Sequence, residues 1–334
     1  MKVAFIIGIL LLAFGVRAQQ NEIHWLSISE AEKLNKEHPK PLLIDFYTDW
    51  CGWCKQMDQT TYADPVVIPF VNRYFYPVKI NAESADTVTF RDKKYAPVKN
   101  GNRSISGIAL EMLGGKLSYP TTVFLYDTEK VNLVVPGYMD AEKMQGFMVY
   151  FSENAYRSTN VNEFLTDFEQ VFGIDALKDE KPVNYWTEFK DLDQKRKEKK
   201  KKILLFLEAP WNNSSKMMEK IVFPDSTFAA LADKHFYCLR LDAQSTDTLT
   251  FMTHRFTNAG AENNNLHQLA IALSEQVLRV PGIYIFDEEG KLMERLYYYL
   301  DRKRGNMVLD YIGSDTYKNM SWDDYMKIKI KEIL

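Results

Sequence analysis

Apolar and polar positions along this chain follow two rhythms, one of strands and one of helices, and the whole series of elements occurs twice. "PLLIDFY" (41–47) is a continuous apolar run broken by one acid, the pattern of a strand buried on both faces. Ahead of it Ser27 and Glu30 have the spacing of a capping box, which predicts a helix to about His38. After "WCGWC" a helix is predicted to about Thr61, and Asp64-Pro65 should open another to about Tyr74 with Pro at its first position. "FYPVKIN" is predicted as a second strand and "TVTFRDKKYAP" as a hairpin with a polar tip. "SISGIALEMLGG" predicts a short helix stopped by Gly114 and Gly115. Two strands, "PTTVFLYD" and "KVNLVVPGY", flank the turn "DTEK", and "DAEKMQGFMVYFSENAY" closes as an amphipathic helix. The order is βα units, a β-hairpin, then a helix.

The series then starts again. Trp50 and Trp211 lie 161 residues apart, and the same offset lays "FYPVKINAES" (75–84) on "FYCLRLDAQS" (236–245) and "DTVTF" on "DTLTF". It also carries Trp25 to Trp186, Pro120 to Pro281, Asp140 to Asp301 and Tyr150 to Tyr311, without a gap. The chain is thus a tandem duplication of one domain of about 150 residues, too long a period for a solenoid, and each copy should have its own core. "NVNEFLTDFEQVF" between them predicts one further helix, followed by the polar "KDEKPVN".

Composition narrows the function. With 334 residues, 46% hydrophobic and 26% charged, the chain suits about two globular domains. A net charge of -3 gives no electrostatic reason to expect a nucleic acid partner. The basic run "KRKEKKKK" from Lys195 aligns with an ordinary helix end, "NKEHPKP", and is expected to be solvated. The first residues, "MKVAFIIGILLLAFGVRAQQ", have one early Lys, a short apolar run and small residues at a cleavage position, so residues 1–18 are expected to be a signal peptide. That predicts a secreted, periplasmic protein.

Three cysteines are too few for a disulfide-held scaffold, so Cys51 and Cys54 need another explanation. A Cys-x-x-Cys where a buried strand meets a helix brings both sulfurs to one face of the first turn. Unpaired N–H groups and the helix dipole favour a thiolate at the first, Cys51, while Cys54 is shielded and placed to resolve a mixed disulfide. A structural disulfide and a metal site are the alternatives. Against a metal, the five His are scattered and no second Cys pair exists. Against an inert staple, so short a loop restricts the unfolded chain little. Cys238, His24, His38, His235, His254 and His267 are expected to be structural: the Cys buried, the His at the surface or capping helices.

"LLIDFYTDWCGWCK" followed by the Pro of "SYPTTVFLY" resembles the thioredoxin superfamily, in its exported members with a WCxWCK site. The resemblance covers nearly all of the first copy. It implies an α/β fold with two tandem thioredoxin-like domains, each a central mixed β-sheet flanked by helices. The expected boundaries are 19–156 for the redox-active domain, 157–184 for a helical linker and 185–334 for a domain lacking the active-site cysteines. It further implies a thiol–disulfide oxidoreductase with a redox-active Cys51–Cys54 couple and Asp45 as the buried acid serving the resolving thiol. Lys79 would lie near that acid, and Pro120 would be a cis-proline facing the disulfide. Trp50, Trp53, Tyr119 and Pro120 would contact substrate. Protein disulfides are the implied substrates and a membrane thiol reductase the electron donor; no cofactor, metal or nucleic acid is expected. The other functional class, a non-catalytic polypeptide-binding or assembly module, would use two thioredoxin-like grooves. By the offset Cys51 becomes Asn212, Cys54 becomes Ser215 and Asp45 becomes Phe206, so the second site is the first one disarmed.

Overall fold

The computed structural model describes residues 22–101, 103–126, 131–173, 184–275 and 277–333. The expected signal peptide, the turn 127–130 and residues 174–183 of the expected linker lie outside the described residues.

The first copy runs α1 (Ile28–Glu37), β1 (Leu42–Tyr47), α2 (Gly52–Thr60), α3 (Val67–Tyr74), β2 (Tyr76–Asn81), β3 (Val88–Phe90), β4 (Lys93–Tyr95), β5 (Val98–Asn100) and β6 (Arg103–Ile105). It continues through α4 (Gly107–Met112), β7 (Thr121–Tyr126), β8 (Val131–Pro136), α5 (Ala141–Ser152) and α6 (Val161–Phe172). Its sheet has the order β2-β1-β7-β8, with β1 parallel to β2 and the other neighbours antiparallel. The Ser27–Glu30 capping box is present at α1. α3 starts later than the sequence predicts, because Asp64 Oδ1 accepts from the N–H groups of Val66 and Val67 and holds Pro65 in a turn ahead of the helix. The β5–β6 hairpin lacks an apolar rhythm and was not predicted.

The second copy repeats this frame as α7 (Phe189–Glu198), β9 (Lys202–Glu208), α8 (Asn213–Met217), α9 (Ser226–His235), β10 (Phe236–Asp242), β11 (Leu249–Phe251) and β12 (His254–Phe256). α10 (Gln268–Leu273), β13 (Gly282–Phe286), β14 (Leu292–Leu296), α11 (Arg302–Gly313) and α12 (Trp322–Ile333) complete it, with the sheet order β10-β9-β13-β14.

Each copy keeps one private apolar layer, around Ile44, Phe46 and Val78 in the first and Leu205, Leu207 and Leu239 in the second. The expectation of two separate cores fails on the other face. There a single apolar cluster runs from Phe124 and Phe151 of the first copy through Phe164 and Phe168 of α6 to Met217, Ile221 and Phe223 of the second. α6 fuses the copies because it can approach α5 closely. A Cβ at Gly146 would stand 2.7 Å from Leu165 Cδ2 and 3.3 Å from Phe168 Cδ1. The duplicated position is Met307. On its far side α6 meets Tyr299, whose hydroxyl donates to Asp167 at 2.7 Å and whose ring lies 5.3 Å from that of Phe164.

Candidate functional site

β1 carries the chain to the mouth of the site, and a turn from Thr48 to Cys51 (N–H to O, 3.1 Å) starts α2. Cys51 is the N-cap: its sulfur accepts from the N–H of Cys54 at 3.1 Å. The two are joined as a disulfide with Cα atoms 5.3 Å apart. Exposure does not separate the sulfurs as expected, since both residues are buried, Cys51 at 4% and Cys54 at 3%. What distinguishes Cys51 is its place at the helix start. Tyr119-Pro120 is a cis peptide bond, as is Val280-Pro281 in the second copy.

On β1, six residues before Cys51, Asp45 is 2% exposed and stands across the strands from Lys79 on β2 and Thr122 on β7. Lys79 Nζ is 3.8 Å from Asp45 Oδ2 and makes its closer ion pair with Asp58 of α2. The rings of Trp25, Tyr47 and Tyr62 surround that ammonium at 5.3, 5.2 and 5.8 Å. Burial dominates the carboxyl group: it pushes the Asp45 pKa up to about 7, against the pull of Lys79 and with a further push from Asp58. The Tyr62 phenol neighbours both Asp45 and Thr122, yet Asp45 Oδ1, Tyr62 Oη and Thr122 Oγ1 make no hydrogen bond of ordinary geometry. An acid near neutrality with an unbonded oxygen can both take and give a proton at physiological pH. Sequence reasoning found Asp45 and Lys79 but missed Asp58 and Tyr62.

The rim is aromatic. Trp50 and Trp53 are 59% and 64% exposed. The Trp50 indole N–H donates to Glu83 at 2.9 Å, and its ring meets Tyr119 edge-on at 6.3 Å. Arg103, on the unpredicted β5–β6 hairpin, lies over the same indole at 6.0 Å and 3.9 Å from Glu83. Trp53 packs beside Tyr138 at 5.6 Å. Trp50, next to Cys51 in the chain, is therefore brought beside Tyr119, Glu83 and Arg103, while Trp53 packs against Tyr138.

The disarmed site keeps the frame, and its first-turn N–H groups are taken. Asn212 caps α8, accepting from Ser215 N at 2.7 Å, and donates through Nδ2 to Val280 O at 3.1 Å, just before the cis-proline. Glu153, from the end of α5 in the first copy, accepts from Asn213 N at 3.1 Å and Ser214 N at 2.7 Å. Phe206 replaces Asp45, flanked across the strands by Arg240 and Ile283 and packed edge-on against Phe223 at 4.7 Å. Cys238 is fully buried, and burial holds its thiol in the protonated form. His267 is fully buried as well, not at the surface, and its Nδ1 accepts from Leu269 N to cap α10. Among the described residues no helix is long and apolar enough to cross a membrane, and no group of three His, Cys, Asp or Glu is placed to hold a metal ion.

Comparison with known proteins agrees with this architecture. Residues 28–152 match the family described as "Thioredoxin-like domain" and residues 187–287 one described as "Thioredoxin-like". The chain belongs to the thioredoxin superfamily, as a tandem pair of thioredoxin-like domains. The thiol:disulfide interchange protein DsbD of Pectobacterium atrosepticum is 30% identical over 129 residues, which are 38% of this chain and 19% of that protein. DsbD of Salmonella typhimurium is 38% identical over 61 residues, 16% of this chain and 11% of that one. The chain thus spans about a fifth or less of the length of these relatives. Among solved structures, a thioredoxin-fold protein from Helicobacter pylori is 19% identical with a TM-score of 0.32, over 40% of this chain and 86% of that one. The reduced DsbD C-terminal domain of Neisseria meningitidis is 21% identical with a TM-score of 0.27, over 37% and 91%.

Proposed function

We propose that the protein is an exported thiol–disulfide oxidoreductase that reduces or exchanges disulfides of periplasmic proteins through Cys51 and Cys54. One observation carries the reading: a vicinal cysteine pair caps a helix directly beyond a strand that holds a buried acid near neutrality. In the reduced enzyme the Cys51 thiolate attacks one sulfur of a client disulfide. The other client sulfur leaves as a thiolate and takes up a proton. Asp45 then accepts the proton of Cys54, whose thiolate attacks Cys51 and breaks the mixed disulfide. The departing client sulfur is protonated, the client has gained two electrons, and Cys51–Cys54 is oxidised. Lys79 and Asp58 set the charge beside Asp45; Trp50, Trp53, Tyr119 and the backbone before Pro120 hold the client strand. A membrane thiol reductase returns the electrons, as the similarity to part of DsbD suggests. The reading of the chain as an assembly module with two thioredoxin-like grooves is disfavoured by the intact Cys51–Cys54 pair and the buried acid kept in the first copy and lost in the second.

The test is trapping on an extract of exported proteins. Cys54→Ser should accumulate mixed disulfides through Cys51, and Cys51→Ser should trap nothing. Equal, negligible trapping by both would reject the assignment.

A further inference from the structure

The two copies fill the layer between sheet and closing helix differently. In the first, the rings of Phe147 and Phe151 on α5 stack on Phe124 of β7, with centroids 5.5 and 5.1 Å from it, and all three are buried. By the offset Phe124, Phe147 and Phe151 become Ile285, Val308 and Ile312, so the second copy has lost three rings from one layer. Interiors are close-packed, and a large-to-small exchange that the surroundings do not close leaves a cavity. One is present: a cavity of about 440 Å³ between β14, α11 and α12 is lined by Val308 and Ile312. That volume lies within the range of small-molecule sites.

Other exchanges built the walls up. Gly137 and Val161 become Tyr298 and Trp322, which line the same cavity, and Trp322 stands edge-on to Tyr311 at 5.2 Å. The second copy thus gained aromatic faces around the space where it lost its own rings. Charge gathers at one end. The Tyr298 phenol lies in the field of Arg304, Arg157 and Glu294, two cations against one acid, and all three line the cavity. Arg304 spends only Nη1, on the carbonyls of Ser158 at 3.1 Å and Arg157 at 3.4 Å, and no described carboxylate pairs with its fork. Its other donors are open to an acceptor in the cavity.

We infer that this cavity is a binding site for a small aromatic carboxylate, its ring taken between Val308, Ile312 and Trp322 and its carboxylate by Arg304. A bound ring restores contacts that the lining lost with its phenylalanines, and a guanidinium fork meets a carboxylate through two parallel hydrogen bonds.

The experiment titrates the intact oxidised protein with hydrocinnamate and follows the indole N–H resonances of its six tryptophans by NMR. The Trp322 signal, identified by its loss in Trp322→Phe, should move and saturate. Val308→Phe with Ile312→Phe installs the residues of the first copy and should weaken binding at least about tenfold. Arg304→Gln should weaken hydrocinnamate by about tenfold and leave the neutral hydrocinnamamide, the weaker ligand of the native protein, unchanged. A Trp322 signal that does not move to saturation, binding undiminished in the filled variant, or equal affinity for acid and amide overturns the inference. A saturable shift confined to the exposed Trp50, Trp53 or Trp211 overturns it as well. Where the double variant loses the dispersion of its other indole signals and so has not folded, Val308→Phe alone carries the same test.

Discussion

The live site and the disarmed one share a frame and differ in what lies under it. Beneath Cys51 and Cys54 is a polar interior of Asp45, Tyr62, Thr122 and Lys79; beneath Asn212 and Ser215 the same positions are Phe206, Phe223, Ile283 and Arg240. Arg240 no longer faces an interior acid; it keeps the pair with Glu219, the duplicate of Asp58, and adds one with Glu208. A buried carboxyl group without full hydrogen bonding costs stability, and an apolar replacement removes that cost. The first copy therefore bears an expense the second has shed along with its cysteines. At the mouth the difference is reversed. Both starts carry an exposed tryptophan, Trp50 and Trp211, but the first-turn N–H groups of the disarmed one are taken by Glu153 of the other copy, beside a cavity lined by Asn212 and Val280, so this face lies at the seam between domains.

The comparison is broken most directly by rebuilding the second site. With Cys51 and Cys54 changed to Ser, Asn212→Cys with Ser215→Cys should form a disulfide, since the first-turn spacing is that of the live pair. Turnover should stay at least about 100-fold below that of the native enzyme, because Phe206 supplies no acid and Glu153 takes the first-turn N–H groups that would favour a thiolate. Adding Phe206→Asp and Glu153→Ala should recover part of the rate. Mass measurement follows the bond and a disulfide-reductase assay the turnover. A rebuilt pair as fast as the first would show that neither the acid nor the free N–H groups matter.

Asp45→Asn tests the cost of the polar interior and its use together. The folded pKa of about 7 lies above the ordinary 3.8, so the folded state holds this proton more tightly than the unfolded chain. Below about pH 4 both states are protonated and the burial costs little. As pH rises through 4 to 7 the native enzyme loses stability relative to the variant, by up to about 4 kcal/mol above pH 7. Asp45→Asn should thus be the more stable protein at pH 8, with a gap that closes by pH 4, and should reduce disulfides more slowly by about tenfold or more. Urea titrations across pH measure the first and a reductase assay the second. A stability difference independent of pH would remove Asp45 from the account.

Glu153→Ala tests the seam. It leaves two N–H groups at the α8 start without their acceptor and should cost about 1–3 kcal/mol in urea unfolding. Ser314, the duplicated position, is exposed, and its hydroxyl bonds within its own turn, to Asp310 O and Thr316. Ser314→Ala should cost under about 0.5 kcal/mol. Equal losses would mean that Glu153 does not hold the domains together.

How much of this the sequence disclosed depends on the range of each interaction. The strand, the capped helix and the Cys-x-x-Cys are local patterns, and the offset extended them to Asp45 and to the loss of the second site. Asp58 and Tyr62 were passed over because, read locally, one is a polar residue on a helix face and the other an aromatic after it. The offset held the missing signal: Tyr62 to Phe223 and Thr122 to Ile283 turn apolar together with Asp45 to Phe206. Glu153 could not be found this way, since its partners are 60 and 61 residues on in the other copy. The shared core was missed for the same reason. Gly146 inside an amphipathic helix was the trace of α6's close approach, legible only once the partner helix is seen.

The smallest effect separates the two interiors most finely. Tyr62→Phe puts the residue of the second copy into the first. The Tyr62 hydroxyl is buried and makes no ordinary hydrogen bond, so its removal should be neutral or stabilising by up to about 1 kcal/mol. The phenol also favours the charged form of Asp45, which lowers that group's pKa against the push of burial. Without it, Asp45 should titrate at higher pH; the decline in stability still begins near the ordinary 3.8 but runs on to a higher pH, so the gain at low pH shrinks or reverses by pH 8. Carboxyl titration followed by NMR, alongside urea unfolding at pH 6 and pH 8, reads both effects. A midpoint that moves down, or a clear loss of stability at both pH values, would mean that Tyr62 is held by contacts that Phe cannot replace and that the two interiors are not interchangeable position by position.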